Sequence, residues 1–127
     1  MALTKEEFQP QRWWPVHFYG TNALAGNSAL IEEVSVAKRF KVQDIRVHFS
    51  TAVASAIDLM IYISSILGSE YNTKLLSQAI LGVQNVFIHF SEPLALNSAD
   101  VLTFSTASFI VANVAGLEVY AWAVVED

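Results

Sequence analysis

The chain contains no cysteine and few charged residues. Among its 127 residues there are also only 3 prolines and 5 glycines, and charged residues make up 15%. The absence of cysteine excludes disulfide bonds and thiolate catalysis, and it is typical of a chain made in a reducing cytoplasm. Globular chains usually have about a quarter of their residues charged. Because apolar residues reach 54%, we expect part of the apolar surface to be buried against other chains.

Basic residues are especially scarce. Seven lysines and arginines stand against twelve acidic residues, which gives a net charge of -5. A nucleic-acid site needs clustered basic residues, and only Lys38, Arg39 and Lys41 lie close together. The first ten residues lack the apolar core of a signal peptide, and the longest uncharged stretch, Leu75 to Ser91, is too polar and too short to span a membrane. We therefore expect a soluble domain with neither nucleic acid nor membrane as a partner.

Several segments alternate between apolar and polar residues, which is the period of a β-strand. The clearest are IRVHFS, IDLMIYIS, VFIHFS, VLTFS and GLEVYAWAV, and weaker candidates are ALIEEVSVA and YNTKLLSQ. Glycine, proline and asparagine separate them at a spacing of roughly ten residues. This pattern predicts an all-β fold over residues 29–127, an antiparallel β-sandwich of the jelly-roll or immunoglobulin-like type.

The alternation also predicts which side chains form the core and which point outward. The predicted core residues are Ile45, Val47, Phe49, Leu59, Ile61, Ile63, Val86, Ile88, Phe90 and Leu117. The apolar and aromatic residues predicted on an outer face are Met60, Tyr62, Tyr120 and Trp122. Apolar patches larger than a few hundred Å² are unusual on monomers. The sequence therefore predicts a symmetric homo-oligomer, and we expect a trimer.

Residues 1–28 lack the strand alternation, which predicts an extended N-terminal arm followed by a loop. The segment FQPQRWWPVHFYG holds five aromatic residues and two prolines. Its rings could form a sugar-stacking platform, fold back over their own sandwich or lie on another chain. We favour another chain, because tryptophan and tyrosine are enriched at interface hot spots. The predicted partner-binding residues are Phe8, Trp13, Trp14, Phe18, Tyr19, Tyr120 and Trp122.

The three histidines share one local context, with an aliphatic residue before the histidine and phenylalanine after it. This could be a three-histidine metal site of the cupin type, but the paired ligand spacing and the carboxylate of such a site are missing. If the aliphatic residue and the phenylalanine point inward, His17, His48 and His89 point outward. No nucleophile motif or phosphate loop occurs either. We expect no catalytic residue, no metal, no cofactor and no enzymatic activity.

The stretch from Ile45 to Gln78 resembles small virion proteins of tailed bacteriophages and prophages. In that family a strand E-I-R-L-H-L-S leads into L-T-I-T-L-D-S-x-L-G-x-x-Y-D-x-x-L-L-S-Q. The matching elements here are Ile45 to His48, Leu67-Gly68, Tyr71-Asn72 and Leu75 to Gln78. The segment EPLALNSADVLTFS is similar to the family's Q-P-L-x-L-x-x-G-D-x-L-x-I, with Asp100 matching and Ala99 in place of glycine. GLEVYAW resembles its closing strand.

The resemblance implies a capsid decoration (cement) protein or another accessory component of the virion. Such a protein binds the shell or tail from outside and holds neighbouring subunits together. The expected partners are therefore the major capsid protein or another virion protein, and the expected location is the virion, after synthesis in the host cytoplasm. The alternative is a receptor- or glycan-binding jelly roll, such as a fibre head or a lectin-like domain. The alanine at position 99 leaves the family's turn in question, because alanine tolerates a positive φ poorly.

Overall fold

The computed structural model describes residues 12–125, and these residues form eight strands and one short 3-10 helix. None of their helices is long and apolar enough to cross a membrane. The strands are β1 (Arg12–Leu24), β2 (Ser28–Ser35), β3 (Phe40–Phe49), β4 (Asp58–Ser64), β5 (Thr73–Ala79), β6 (Asn85–Leu96), β7 (Val101–Phe109) and β8 (Asn113–Val125), and the helix is Ser69–Tyr71.

The strands form two four-stranded antiparallel sheets. Sheet A has the order β1-β8-β3-β6, and sheet B has the order β2-β7-β4-β5. The first strand thus pairs with the last, the second with the seventh, the third with the sixth and the fourth with the fifth. This nested pairing is the connectivity of a jelly roll. The predicted antiparallel β-sandwich of jelly-roll type is therefore confirmed.

The core lies between the two sheets and uses the inward side chains of both. Eight of the ten predicted core residues are buried, and Ile88 and Phe90 are half-buried against the same cluster. Phe90 lies where the pairing of β6 with β3 is irregular, between the pairs His89–Asp44 and Leu94–Val42. The alternation also missed large buried residues, and the rings of Phe40, Phe104 and Phe109 are among the most deeply buried in the protein.

The first strand corrects the prediction of an arm for residues 12–24. Arg12–Leu24 pairs with β8 along its whole length, and Val16 and Phe18 pack on the core. Pro15 obscured this strand in the sequence. A proline is tolerated in β1 because the strand lies at the edge of sheet A, where one side of its backbone has no neighbouring strand among residues 12–125. Residues 12–24 therefore cover their own sandwich, which was one of the three alternatives, and the sandwich begins before residue 29.

A hydrogen bond joins the two sheets at this edge. The Asn22 side-chain amide on β1 donates to Glu32 Oε1 on β2 at 2.7 Å. Glu32 is half-buried while the neighbouring Glu33 is exposed, as their adjacent positions in a strand predict. The pair therefore fixes β1 to the opposite sheet as well as to β8.

The loop between β6 and β7 answers the question raised by Ala99. Ala99 has a φ of 68°, so alanine occupies a left-handed conformation in which glycine would be unstrained. The next residue, Asp100, is 5% exposed and holds two loops together. Its carboxylate accepts hydrogen bonds from the backbone N–H of Ile66 at 2.8 Å and of Asn97 at 2.9 Å.

Candidate functional site

The outward side of sheet A carries an unusual set of side chains, which we call the aromatic face. Along each strand, side chains point alternately inward and outward. The alternation that fills the core therefore also places every second side chain on the outer face. Its rings are Trp13, His17, Tyr19, Phe87, Tyr120 and Trp122. Two of them are highly exposed, Tyr19 at 77% and Phe87 at 57%.

The strand register brings these residues together in rows that cross the sheet. One row runs from β1 to β6 through Tyr19, Glu118, Arg46 and Phe87. Three strand spacings of roughly 4.8 Å separate its outer members by about 14 Å. An acid and a base therefore lie between two rings, although the four residues come from four separate segments of the chain.

Stacking between aromatic and cationic groups orders the centre of the face. The ring of His17 stacks on Tyr120 with 4.3 Å between centroids and 7° between planes. On its other side Tyr120 faces the Arg46 guanidinium at 5.6 Å, and the same guanidinium lies 5.3 Å from the Phe87 ring. Glu118 Oε1 lies 3.5 Å from His17 Nε2. Such cation–π contacts hold a flexible arginine in place while its N–H groups remain accessible.

A groove of about 800 Å³ lies on this face toward the end of the sandwich where β1 finishes. Tyr19 from β1 lines one side and Phe87 from β6 lines the other. Gly116, on the inner strand β8, lines the groove in the next row, between Thr21 and His48, and contributes no side chain. Arg46 and Glu118 line the groove as well. Its volume falls within the roughly 300–1,000 Å³ of typical small-molecule sites.

Three tryptophans lie at the opposite end of sheet A, where β1 begins, and we call this region the tryptophan end. Trp14 is 59% exposed and Trp122 is 38% exposed. Trp13 is half-buried beneath the Lys41 ammonium, which lies 4.0 Å from its ring centroid. Trp13 and Trp122 belong to the aromatic face, whereas Trp14 points to the other side of β1 because it is the next residue in the strand.

The predicted partner-binding residues have different positions in the structure. Trp13, Tyr19, Tyr120 and Trp122 share the aromatic face, and Trp14 is exposed at the tryptophan end. Phe18 points inward, where its ring lies 6.4 Å from Phe40. It therefore contributes to the core rather than to a free surface. Phe8 lies outside the described residues.

The two other residues predicted on an outer face lie on the far side of the molecule. Met60 and Tyr62 are half-buried on the outward side of sheet B, so they do not join Tyr120 and Trp122 in one patch. Their neighbours across the sheet include Thr103 and Ser105 of β7. On the outward side of sheet B, which we call the hydroxyl face, small hydroxyl side chains thus lie beside Met60 and Tyr62.

The histidines point outward, as the strand alternation predicts. His17, His48 and His89 are all exposed, and each has its own local partner. His48 Nδ1 lies 2.6 Å from Asn85 Oδ1, and His89 Nδ1 lies 2.6 Å from Asp44 Oδ1. The three rings do not converge, since His17 and His89 occupy opposite edges of the sheet. Within residues 12–125 no group of three potential metal ligands is found.

The aromatic face offers rings, an arginine, a glutamate and an amide as binding groups. These residues suit recognition of a planar or amphipathic surface.

Compared with known proteins, the chain matches no family model, and no curated protein shows significant sequence similarity to it. The sequence predicted only that Arg46, Phe87 and Glu118 point outward from separate strands. Their convergence depends on strand order and register, which the alternation does not specify.

Proposed function

We propose that the chain is a non-enzymatic structural protein of a tailed-phage particle, which decorates the capsid shell and holds neighbouring subunits together. The observation that carries this proposal is the exposure of Trp14 and Trp122 at one end of a rigid sandwich. Tryptophan is the residue most typical of interface hot spots. The resemblance of Ile45 to Gln78 to virion accessory proteins supports the same role, and jelly rolls are common among viral capsid proteins.

The tryptophan end has enough apolar surface to contribute substantially to binding. Burying the exposed parts of Trp14 and Trp122 would remove on the order of 200 Å² from water, worth about 5 kcal/mol before ordering costs. Both residues lie on strands, so little backbone freedom is lost on docking. Arg12 begins β1 at the same end.

Co-sedimentation with shells of the phage that encodes the chain tests this proposal. We expect the double variant Trp14→Ser, Trp122→Ser to bind the shells at least tenfold more weakly while its circular dichroism spectrum is unchanged. The matched control is Ile31→Ser, which removes an exposed apolar side chain from the hydroxyl face and should bind at full strength. Equal binding by the double variant and the unchanged chain would reject the tryptophan end as the docking surface.

We also propose that the chain assembles as a homotrimer through the other end of the sandwich. The loop between β7 and β8 exposes Ile110, at 72%, and Val111. The loop between β5 and β6, at the same end, exposes Leu81. Both loops bond to the segment between β3 and β4: Ile110 N–H donates to Ser55 Oγ at 2.8 Å, and Gly82 N–H donates to the Val53 carbonyl at 2.7 Å. Apolar side chains on ordered loops suit contact with a second copy.

Light scattering in solution tests the trimer. We expect a mass of three times the 14.0 kDa of the chain, and Ile110→Asp should shift the population toward monomer. The matched control is Ile66→Asp, which changes a similarly exposed isoleucine at the tryptophan end. A monomer at micromolar concentration for the unchanged chain would contradict the proposal.

A further inference from the structure

We propose that the groove of the aromatic face binds a segment of a neutral hexopyranose saccharide, independently of the tryptophan end. Tyr19 and Phe87 stand at opposite sides of this groove, about 14 Å apart from three strand spacings. The apolar C–H face of a pyranose ring packs against an aromatic ring, and its hydroxyl groups need planar hydrogen-bonding partners. Both requirements are met on this face by residues that the core does not use.

The polar groups of the groove match a neutral ligand. Arg46 and Glu118 are neighbours in the strand register, so one positive and one negative group lie side by side in the groove. Among residues 12–125 no carboxylate is within ion-pair distance of Arg46, and its guanidinium is held instead by the rings of Phe87 and Tyr120. Its N–H donors therefore remain for ligand oxygen atoms, while Glu118 can accept from hydroxyl groups.

A hydrogen bond fixes a further planar group in the groove. Asn85 Oδ1 and His48 Nδ1 are 2.6 Å apart, which holds the Asn85 amide on β6 against the neighbouring strand. Arg46, Glu118 and Asn85 thus offer fixed donors and acceptors on three adjacent strands. Because these strands form a rigid sheet, the protein needs little further ordering when a ligand binds.

Gly116 gives the groove its depth. A side chain at this position would point outward, as Glu118 does two residues later. An added Cβ would meet only the His48 carbonyl oxygen, at 3.7 Å, an ordinary contact distance, and Gly116 does not adopt a positive φ. Neither packing nor backbone conformation therefore requires glycine here, although glycine weakens a strand interior. Its presence is explained by the space that it leaves in the groove beside the row of the two rings.

The groove is arranged for binding rather than for hydrolysis. Glycoside hydrolysis uses a pair of carboxylic acids on either side of the scissile bond. Of the described residues that line the groove, Glu118 is the one with a carboxylate. Asp44 lies in the next row toward the tryptophan end, where it pairs with His89 at 2.6 Å.

An NMR titration tests the proposal with defined probes. The ¹⁵N-labelled full chain is titrated with hexasaccharides of glucose, mannose, galactose and N-acetylglucosamine, each to about 10 mM. This concentration detects weak binding, because a single-site Kd near 1 mM corresponds to a binding free energy of only about 4 kcal/mol. We expect at least one neutral hexasaccharide to cause saturable shifts of the Tyr19, Phe87 and Gly116 amide signals. A hexamer of galacturonic acid serves as the acidic comparison.

Two variants separate the groove from the rest of the molecule. Gly116→Val fills the groove and should abolish the shifts while the thermal stability is kept or raised. The matched control is Ser105→Val, at the equivalent central strand of sheet B, which should leave the affinity within twofold. The absence of shifts with every neutral probe, shifts with the acidic hexamer alone, or unchanged binding by Gly116→Val would each overturn the proposal. Shell co-sedimentation of Gly116→Val should remain at full strength, so the two proposals fail separately.

Discussion

The two outer faces of this sandwich share a backbone arrangement and differ in chemistry. On sheet A, the second strand in the order, β8, presents Glu118, Tyr120 and Trp122 outward. On sheet B, the second strand, β7, has a buried Thr103 and a half-buried Ser105 on its outward side. The inward residues of both sheets are equally buried, so the fold does not require aromatic rings on the outer face of either sheet. The difference supports the proposal that the aromatic face contacts other molecules, since large exposed apolar patches are unusual on monomers.

The largest effect should separate inward from outward phenylalanines. Phe104 lies at the centre of sheet B and is 1% exposed. Its replacement by alanine should lower the unfolding free energy by about 3–5 kcal/mol. Phe87→Ala, on the aromatic face, should change stability by less than about 0.5 kcal/mol. Urea denaturation of both variants checks the pair. A large loss for Phe87→Ala would mean that the aromatic face belongs to the core of the fold, and the contrast between the faces would fail.

A second pair of substitutions tests the contrast within the edge strand. Phe18 packs inward beside Phe40, whereas the next residue, Tyr19, is 77% exposed. Because Phe18 is half-buried, Phe18→Ala should lower stability by about 2 kcal/mol, less than for a fully buried ring. Tyr19→Ala should be close to neutral in stability and should weaken saccharide binding. If the two variants had equal stability, β1 would not be docked on the core as described.

The smallest effect concerns the loops that carry the chain between the sheets. Ala99 and Asn27 have the same φ of 68°, but asparagine tolerates this conformation better than alanine does. Ala99→Gly should therefore raise the unfolding free energy by about 0.5–1 kcal/mol. The control Asn27→Gly should give a smaller gain. Thermal denaturation measures both, and a loss of stability in Ala99→Gly would show that the alanine methyl group makes a compensating contact.

Sequence reasoning succeeded where one face of a strand is apolar and failed where the strand lies at an edge. The strands around Val47, Ile61 and Val119 were predictable because their inward residues are aliphatic in strict alternation. In β1 the inward positions include Gly20 and Asn22, and Pro15 interrupts the pattern. Nothing in such a segment distinguishes a strand from an arm until its pairing with β8 is known.

The candidate site was predictable only residue by residue. The alternation indicates that Arg46, Phe87 and Tyr120 point outward, because each lies between two inward aliphatic residues. It does not indicate that they lie side by side, since their strands are separated by tens of residues in the chain. Their assembly depends on the strand order of sheet A, in which β8 and β6 both flank β3.

Hydroxyl-radical footprinting of the shell-bound protein tests most directly whether the exposed rings serve as the intermolecular surface. Indole and thioether groups both react with hydroxyl radicals, so the tryptophan end and the hydroxyl face can be compared in one sample. We predict that Trp14 and Trp122 become at least fivefold less reactive on shells than in the free protein, while Met60 reacts at an unchanged rate. Protection of Met60 with unprotected tryptophans would contradict the account, because the shell would then contact the hydroxyl face.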